Sequence, residues 1–232
     1  MPENISWFYL EINLTPKQHK ILIGIPLASS VSAEFFRSFL SVVNLMPEEG
    51  QCVVHTTKWQ NIVKARNNIV EEVLKHNFTH LFFMDSDMTF PENALSRLMQ
   101  HDKDIVGGLY TTKVPPFNTT AFKGGVNGSK EPWTSFTPTL EDGLVELDGI
   151  GTGCLLIRRE VLESMSWPWF WYEESPDKPN TMMSEDIYFC LMAREMGFKM
   201  WCDTTILCGH VGEALVSPLF KEDKMQVSID MV

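Results

Sequence analysis

Long apolar runs are missing from this chain: none of its 232 residues fall in a stretch of the roughly eighteen that cross a bilayer as a helix. The N-terminus also lacks the basic region and apolar core of a secretory signal, so the expectation is a cytoplasmic protein without a transmembrane segment. Cations are scarce, with 19 Lys and Arg against 30 Asp and Glu and a formal net charge of −11. That balance argues against broad attraction to nucleic acid or anionic lipid, and a nucleic-acid acceptor would need a local basic patch. Cys-x-x-Cys pairs are absent. The five cysteines (Cys52, Cys154, Cys190, Cys202, Cys208) are odd in number and scattered among apolar residues, as reduced core thiols are. Zinc held by Cys202, Cys208 and His210 is the weaker alternative. Phosphate loops are missing too. The glycine-rich turn in residues 148–157 precedes a strand, the wrong order for a P-loop or a dinucleotide fingerprint.

What is present is enough apolar content, 44%, to bury a substantial core, and a strand–helix alternation that predicts one α/β domain over residues 1–232 with a largely parallel sheet. Its organising stretch is residues 79–90. Leu81, Phe82, Phe83 and Met84 make a strand-length apolar run of the kind covered on both faces, and it stops at Asp85-Ser86-Asp87. In open α/β sheets ligands bind beyond the carboxyl ends of strands, so both aspartates are expected in a crevice. An extended Asp-x-Asp directs both carboxylates to one side, where they can share a hard divalent cation whose other positions go to phosphate and water. The competing interpretation is a solvated turn.

Residues 20–26 predict a buried first strand ending at Pro26, with Ala28, Ser29 and Ser30 small enough to admit a nucleobase. Apolar positions at helical spacing predict helices over residues 32–43 and 62–74, with strands at 52–55 and 104–110. A further helix is expected to open at Phe90-Pro91-Glu92. Arg66, near the start of the second helix, offers a planar fork to a phosphate or nucleobase, or else pairs at the surface with Glu71 or Glu72. Residues 111–143, rich in Pro, Thr, Asn and Gly, read as a long functional loop with at most a hairpin. Gly151, Thr152 and Gly153 suggest close main-chain approach by a sugar or acceptor. The segment 167–172 carries Trp169, Trp171 and Tyr172, whose rings suit either an acceptor lid or an apolar plug.

Ser184 with Glu185 and Asp186 reads as a helix cap, or as carboxylates aimed out of a helix to accept a hydroxyl proton. Two closing strands are expected at 199–203 and 206–208. His210, between two glycines, could complete a metal shell. A tail is expected over residues 213–232, and from Ser217 onward it carries no clear signal.

Taken in order, Asp85-Ser86-Asp87, Gly151-Thr152-Gly153, Glu185-Asp186 and His210 resemble the motifs of GT-A fold nucleotide-sugar glycosyltransferases, family 2 above all. The resemblance spans residues 21–210. It implies a three-layer α/β/α sandwich of Rossmann-like type, a nucleotide-binding half near 20–110 and an acceptor-binding half near 111–212. It also implies a UDP- or GDP-sugar donor over Pro26 and Arg66, and Mn²⁺ or Mg²⁺ joining Asp87 to the diphosphate with His210 as a further ligand. Asp85 would stand nearer the ribose or donor sugar and Asp186 would be the general base for an unidentified hydroxyl acceptor, with inversion. The alternatives are a sugar nucleotidyltransferase, against which residues 27–31 offer neither Gly nor Lys, and a carbohydrate-binding protein without turnover.

Overall fold

The computed structural model describes residues 7–8, 19–27, 30–45, 50–58, 60–124, 133–139, 141–174 and 182–231. The chain begins with β1 (Trp7–Phe8), β2 (His19–Leu27), α1 (Ala33–Asn44), β3 (Gly50–Lys58), α2 (Ile62–Lys75), β4 (His80–Met84), β5 (Met88–Thr89), α3 (Ala94–Gln100) and β6 (Ile105–Leu109). There follow β7 (Ala121–Lys123), β8 (Thr134–Ser135), β9 (Leu144–Leu147), β10 (Gly149–Ile150), β11 (Cys154–Arg158) and α4 (Arg159–Ser164). Last come β12 (Glu173–Glu174), β13 (Met182–Met183), α5 (Glu185–Glu195), β14 (Met200–Leu207), β15 (Gly209–Val211), β16 (Ala214–Lys221) and β17 (Lys224–Met231).

An eight-stranded sheet in the order β1-β3-β2-β4-β11-β6-β14-β9 forms the middle layer. Strands β3, β2, β4, β6 and β14 run one way. Opposed to them are β11, inserted between β4 and β6, and the edge strands β1 and β9. The sheet is therefore mostly parallel, as the alternation predicts. Alternate side chains of β4 enter opposite cores: Leu81 and Phe83 pack with α2, α4 and α5, while Phe82 and Met84 pack with α1 and α3. All four are fully buried. At about 1.5–3 kcal/mol for each such side chain, this strand contributes strongly to holding the three layers together. Gly24 shows how closely they approach, since a Cβ there would lie 2.5 Å from Ile69 of α2.

Several expectations change. The turn at 91–93, closed by the Ala94 N–H on the Pro91 carbonyl (2.9 Å), delays α3 to Ala94. The two closing strands are one, β14, with a register shift between Asp203 and Leu207. Asp203 anchors that irregular stretch by accepting from Arg97 (2.9 Å) and bonding His101 (2.8 Å), both on or beside α3. Within residues 111–143, β7 and β8 form the anticipated hairpin and β10 joins them. The tail is a long hairpin, β16–β17, that completes a second sheet in the order β17-β16-β15-β5. Ala28 and Ser29 lie outside the described residues. Among the described residues no helix is long and apolar enough to cross a membrane.

Candidate active site

The strands that share a direction end at one cleft of about 890 Å³. Pro26 lies one residue from the end of β2, Asp85 follows β4, Tyr110 follows β6, and His210 follows β14, while α2 enters after β3. Each therefore meets the cleft at the carboxyl end of a strand, where the sheet's twist and turning connections leave a crevice. Ser86 ties two of these ends together by donating to the Pro26 carbonyl at 3.0 Å.

Along the first wall, Arg66 is 2% exposed. Its Nη1 and Nη2 donate to the two oxygens of Asp85, each at 3.1 Å, and its Nε lies 3.4 Å from Glu185 Oε1. Nη2 is 3.9 Å from Asp186 Oδ1. The ring faces of Phe83 and Phe170 flank the guanidinium at 5.3 and 5.9 Å. Arg66 is thus neither a free phosphate hook nor a surface partner of Glu71 or Glu72. Its fork is consumed by three carboxylates whose mutual repulsion it offsets. Asp186 lies in the first turn of α5 and accepts from Thr152 Oγ1 at 3.0 Å. Desolvation pushes its pKa up, to about 7; Arg66 opposes the rise, and Glu185 and Asp85 add to it. Ser184 is the N-cap residue of α5, yet its hydroxyl makes no capping bond.

The second wall is more open. Asp87 and Lys113 have side chains 42% and 44% exposed, and Lys113 Nζ donates to Asp87 Oδ2 at 2.6 Å. His210 Nε2 stands 3.4 Å from the same oxygen, and its Nδ1 is 2.9 Å from the Thr111 carbonyl. A carbonyl can only accept, so Nδ1 carries a proton; a hydrogen bond from Nε2 to Asp87 uses the second ring proton, and without that proton the same nitrogen carries the lone pair a metal would use. Burial works to raise the Asp87 pKa, but hydrogen bonds from His210 and Lys113 outweigh it and hold this carboxyl well below the usual range. Tyr110, edge-on to His210 with ring centroids 5.8 Å apart, separates the walls.

Asp85 and Asp87 are not extended side by side. The Met88 N–H bonds the Asp85 carbonyl at 3.2 Å, which folds the triplet into a turn and sends the carboxylates to different partners. Among the described residues no three His, Cys, Asp or Glu side chains are grouped to hold a metal. With Asp85 committed to Arg66, the expected set reduces to Asp87 and His210. Two such donors fit Mg²⁺ or Mn²⁺, which fill their shells with phosphate and water.

Gly151 and Gly153 make room for the protein itself. A Cβ on Gly151 would lie 2.2 Å from the Tyr110 hydroxyl, and one on Gly153 2.3 Å from Met88 Sδ. The Gly153 N–H donates to that hydroxyl at 3.0 Å, and the loop's contribution to the cleft is Thr152 holding Asp186. The aromatic segment divides in two. Trp169 is buried and donates its indole N–H to the Leu162 carbonyl at 2.8 Å, which removes it as an acceptor contact. Phe170 stacks on Phe189 at 4.9 Å, and Asn67 fastens the main chain by accepting from the Trp169 and Phe170 N–H groups at 2.9 and 3.2 Å. Trp171 and Tyr172 stay exposed, and burial together with the nearby Glu185 carboxylate raises the Tyr172 pKa. All five cysteines are buried and unbridged, and among the described residues Cys202, Cys208 and His210 do not form a group that could hold zinc.

Lys113, Tyr110 and Asn67 escaped the sequence. Lys113 lies in a Pro- and Thr-rich stretch with no period, and its partner is 26 positions away.

No family model and no curated protein matches the chain. Among solved structures, A197 from STIV is similar with a TM-score of 0.59 at 19% identity, covering 93% of this chain and 96% of that one. TarS 1–349 from S. aureus, in complex with UDP-GlcNAc, is matched with a TM-score of 0.45 at 13% identity, covering 80% of this chain and 56% of that one. The chain and A197 share a fold along nearly their whole lengths.

Proposed function

We propose that this chain is a metal-dependent glycosyltransferase that moves a sugar from a UDP- or GDP-sugar to a hydroxyl acceptor. The observation that carries this proposal is the division of labour in the cleft. One wall holds a carboxylate near its working pKa, and the other holds a carboxylate–imidazole pair suited to a hard cation. Charge supports it as well. Among the described residues Asp85, Asp87, Glu185 and Asp186 line the cleft against Arg66 and Lys113, an excess of acidic over basic side chains. A diphosphate entering such a field needs additional positive charge.

Asp87 and His210 would hold Mn²⁺ or Mg²⁺, which supplies neutralisation of the charge that develops on a departing nucleoside diphosphate. Asp186 accepts the acceptor's hydroxyl proton, and a pKa close to neutrality suits a general base. Thr152 and Arg66 fix its direction. Glu185, 7% exposed and bonded to Arg66, positions rather than reacts. Asp85 is held toward the donor side by both of its bonds to Arg66. Direct displacement by the activated hydroxyl gives inversion. The chain works as one domain, with residues 20–110 for the donor and 111–212 for the acceptor.

The test is incubation of the chain with UDP- and GDP-sugars and Mn²⁺. Release of nucleoside diphosphate, lost in Asp186→Asn, is expected. Formation of nucleotide sugar from a nucleoside triphosphate and a sugar phosphate, with pyrophosphate released, would replace the proposal with a nucleotidyltransferase.

A further inference from the structure

Among the described residues Arg66 and Lys113 are cationic side chains that line the cleft, and they are not equivalent. The guanidinium of Arg66 is enclosed and bonded to Asp85 and Glu185, so no ligand can claim it without breaking the wall. Lys113 sits on the loop between β6 and β7, whose base is closed by the Thr111–Thr119 bridge and by the Thr112 N–H on the Asn118 carbonyl at 2.8 Å. Its stem passes Gly212, where a Cβ would stand 3.4 Å from Lys113 Cδ. Loop and glycine thus aim a flexible four-carbon arm across the cleft mouth, with a half-exposed ammonium at its tip.

That tip rests on Asp87 Oδ2, 2.6 Å away, and His210 Nε2 is directed to the same oxygen from 3.4 Å. A divalent cation between Asp87 and His210 would need that oxygen. Two cations cannot share it closely without strong repulsion. The ammonium must therefore leave when a metal enters, and the anion a metal brings to this place is the diphosphate. Ammonium is a compact point charge well suited to phosphate oxygen.

We infer that Lys113 is an exchange cation of the donor site: it occupies Asp87 until a divalent ion displaces it, and then transfers to the phosphate that the ion carries. The metal half of this exchange is independent of the proposed glycosyl transfer; the phosphate half rests on it.

The experiment compares the full chain with Lys113→Gln, Lys113→Arg and Asp87→Asn. Mn²⁺ alone is titrated first, by the electron-spin signal of the free ion. Lys113→Gln should bind Mn²⁺ about two- to fivefold more tightly than wild type, because its competitor is gone. Asp87→Asn should weaken Mn²⁺ binding and cancel that gain in the double variant. UDP and GDP are then titrated calorimetrically at saturating Mn²⁺. Whichever binds wild type should bind Lys113→Gln about tenfold or more weakly, with recovery in Lys113→Arg. These opposite signs distinguish exchange from a role in holding the loop, which would not strengthen either ligand. Unchanged or weaker Mn²⁺ binding by Lys113→Gln overturns the exchange, as does Mn²⁺ binding indifferent to Asp87→Asn. Equal nucleotide affinity in Lys113→Gln and wild type overturns the phosphate role alone. If wild type binds neither UDP nor GDP, the donor assignment falls together with that role, while the nucleotide-free Mn²⁺ arm still judges the exchange.

Discussion

Asp85 and Asp87 stand two residues apart on one turn, yet they inhabit different kinds of environment. Asp85 meets a buried guanidinium through two matched bonds, on a wall where Glu185 is also buried and aromatic rings exclude water. Asp87 meets a half-exposed ammonium through one bond and an imidazole that can donate or accept. Burial makes the first set a fixture, because separating any member would strand a charge in low dielectric. Exposure makes the second set replaceable, because water and mobile ions compensate each partner. One wall is therefore fixed and the other replaceable.

Removing the buried cation should have the largest effect. Arg66→Met leaves Asp85, Glu185 and Asp186 facing one another without a counter-charge and should cost about 3–5 kcal/mol in urea unfolding. Lys113→Gln should cost less than about 1 kcal/mol in the same assay. Similar losses in both would erase the distinction between the walls. Next comes Asp186→Asn, which should lower turnover about 10²–10⁴-fold without lowering the melting temperature. Its pKa is raised in the folded chain, so its stabilising contribution is complete below the unfolded value of about 3.9 and is lost as pH rises through about 7. Wild type should accordingly lose melting temperature between pH 5 and pH 8, and Asp186→Asn should flatten that slope. A slope equally steep in the variant would assign the effect elsewhere. The smallest effect is on the open wall: Asp87→Asn should change unfolding free energy by less than about 1 kcal/mol while abolishing any rise in melting temperature caused by Mn²⁺.

The elements that hold the site could be read from local pattern, whereas the pairings within it could not. Strand β4 is legible because burial on both faces demands a continuous apolar run, and the aspartates are legible because the run ends on them. Helices α1 and α2 follow from their apolar stripes, and Ser32 and Asn61 cap them as their side chains allow. Arg66 was visible as a cation at a helix start, but Glu185 lies 119 positions away, and no local feature tells a buried clamp from a phosphate hook. Trp169 and Phe170 were visible as aromatic; their burial depends on Asn67, an unremarkable polar residue in a helix. The β16–β17 hairpin was concealed by its turn. Glu222 and Asp223 both adopt positive φ, 50° and 60°, where Asn-Gly would be the familiar signal. Pro218 also interrupts β16, tolerated because it lies beyond Leu215 and Val216, the stretch that β15 pairs.

The decisive measurement is calorimetric titration of UDP and GDP into the wild-type chain with Mn²⁺ and again with excess chelator, alongside Asp87→Asn. Binding that needs the ion and disappears in the variant is expected if a cation on Asp87 and His210 grips the diphosphate. Nucleotide affinity that is the same with the chelator, or the same in Asp87→Asn, would contradict it.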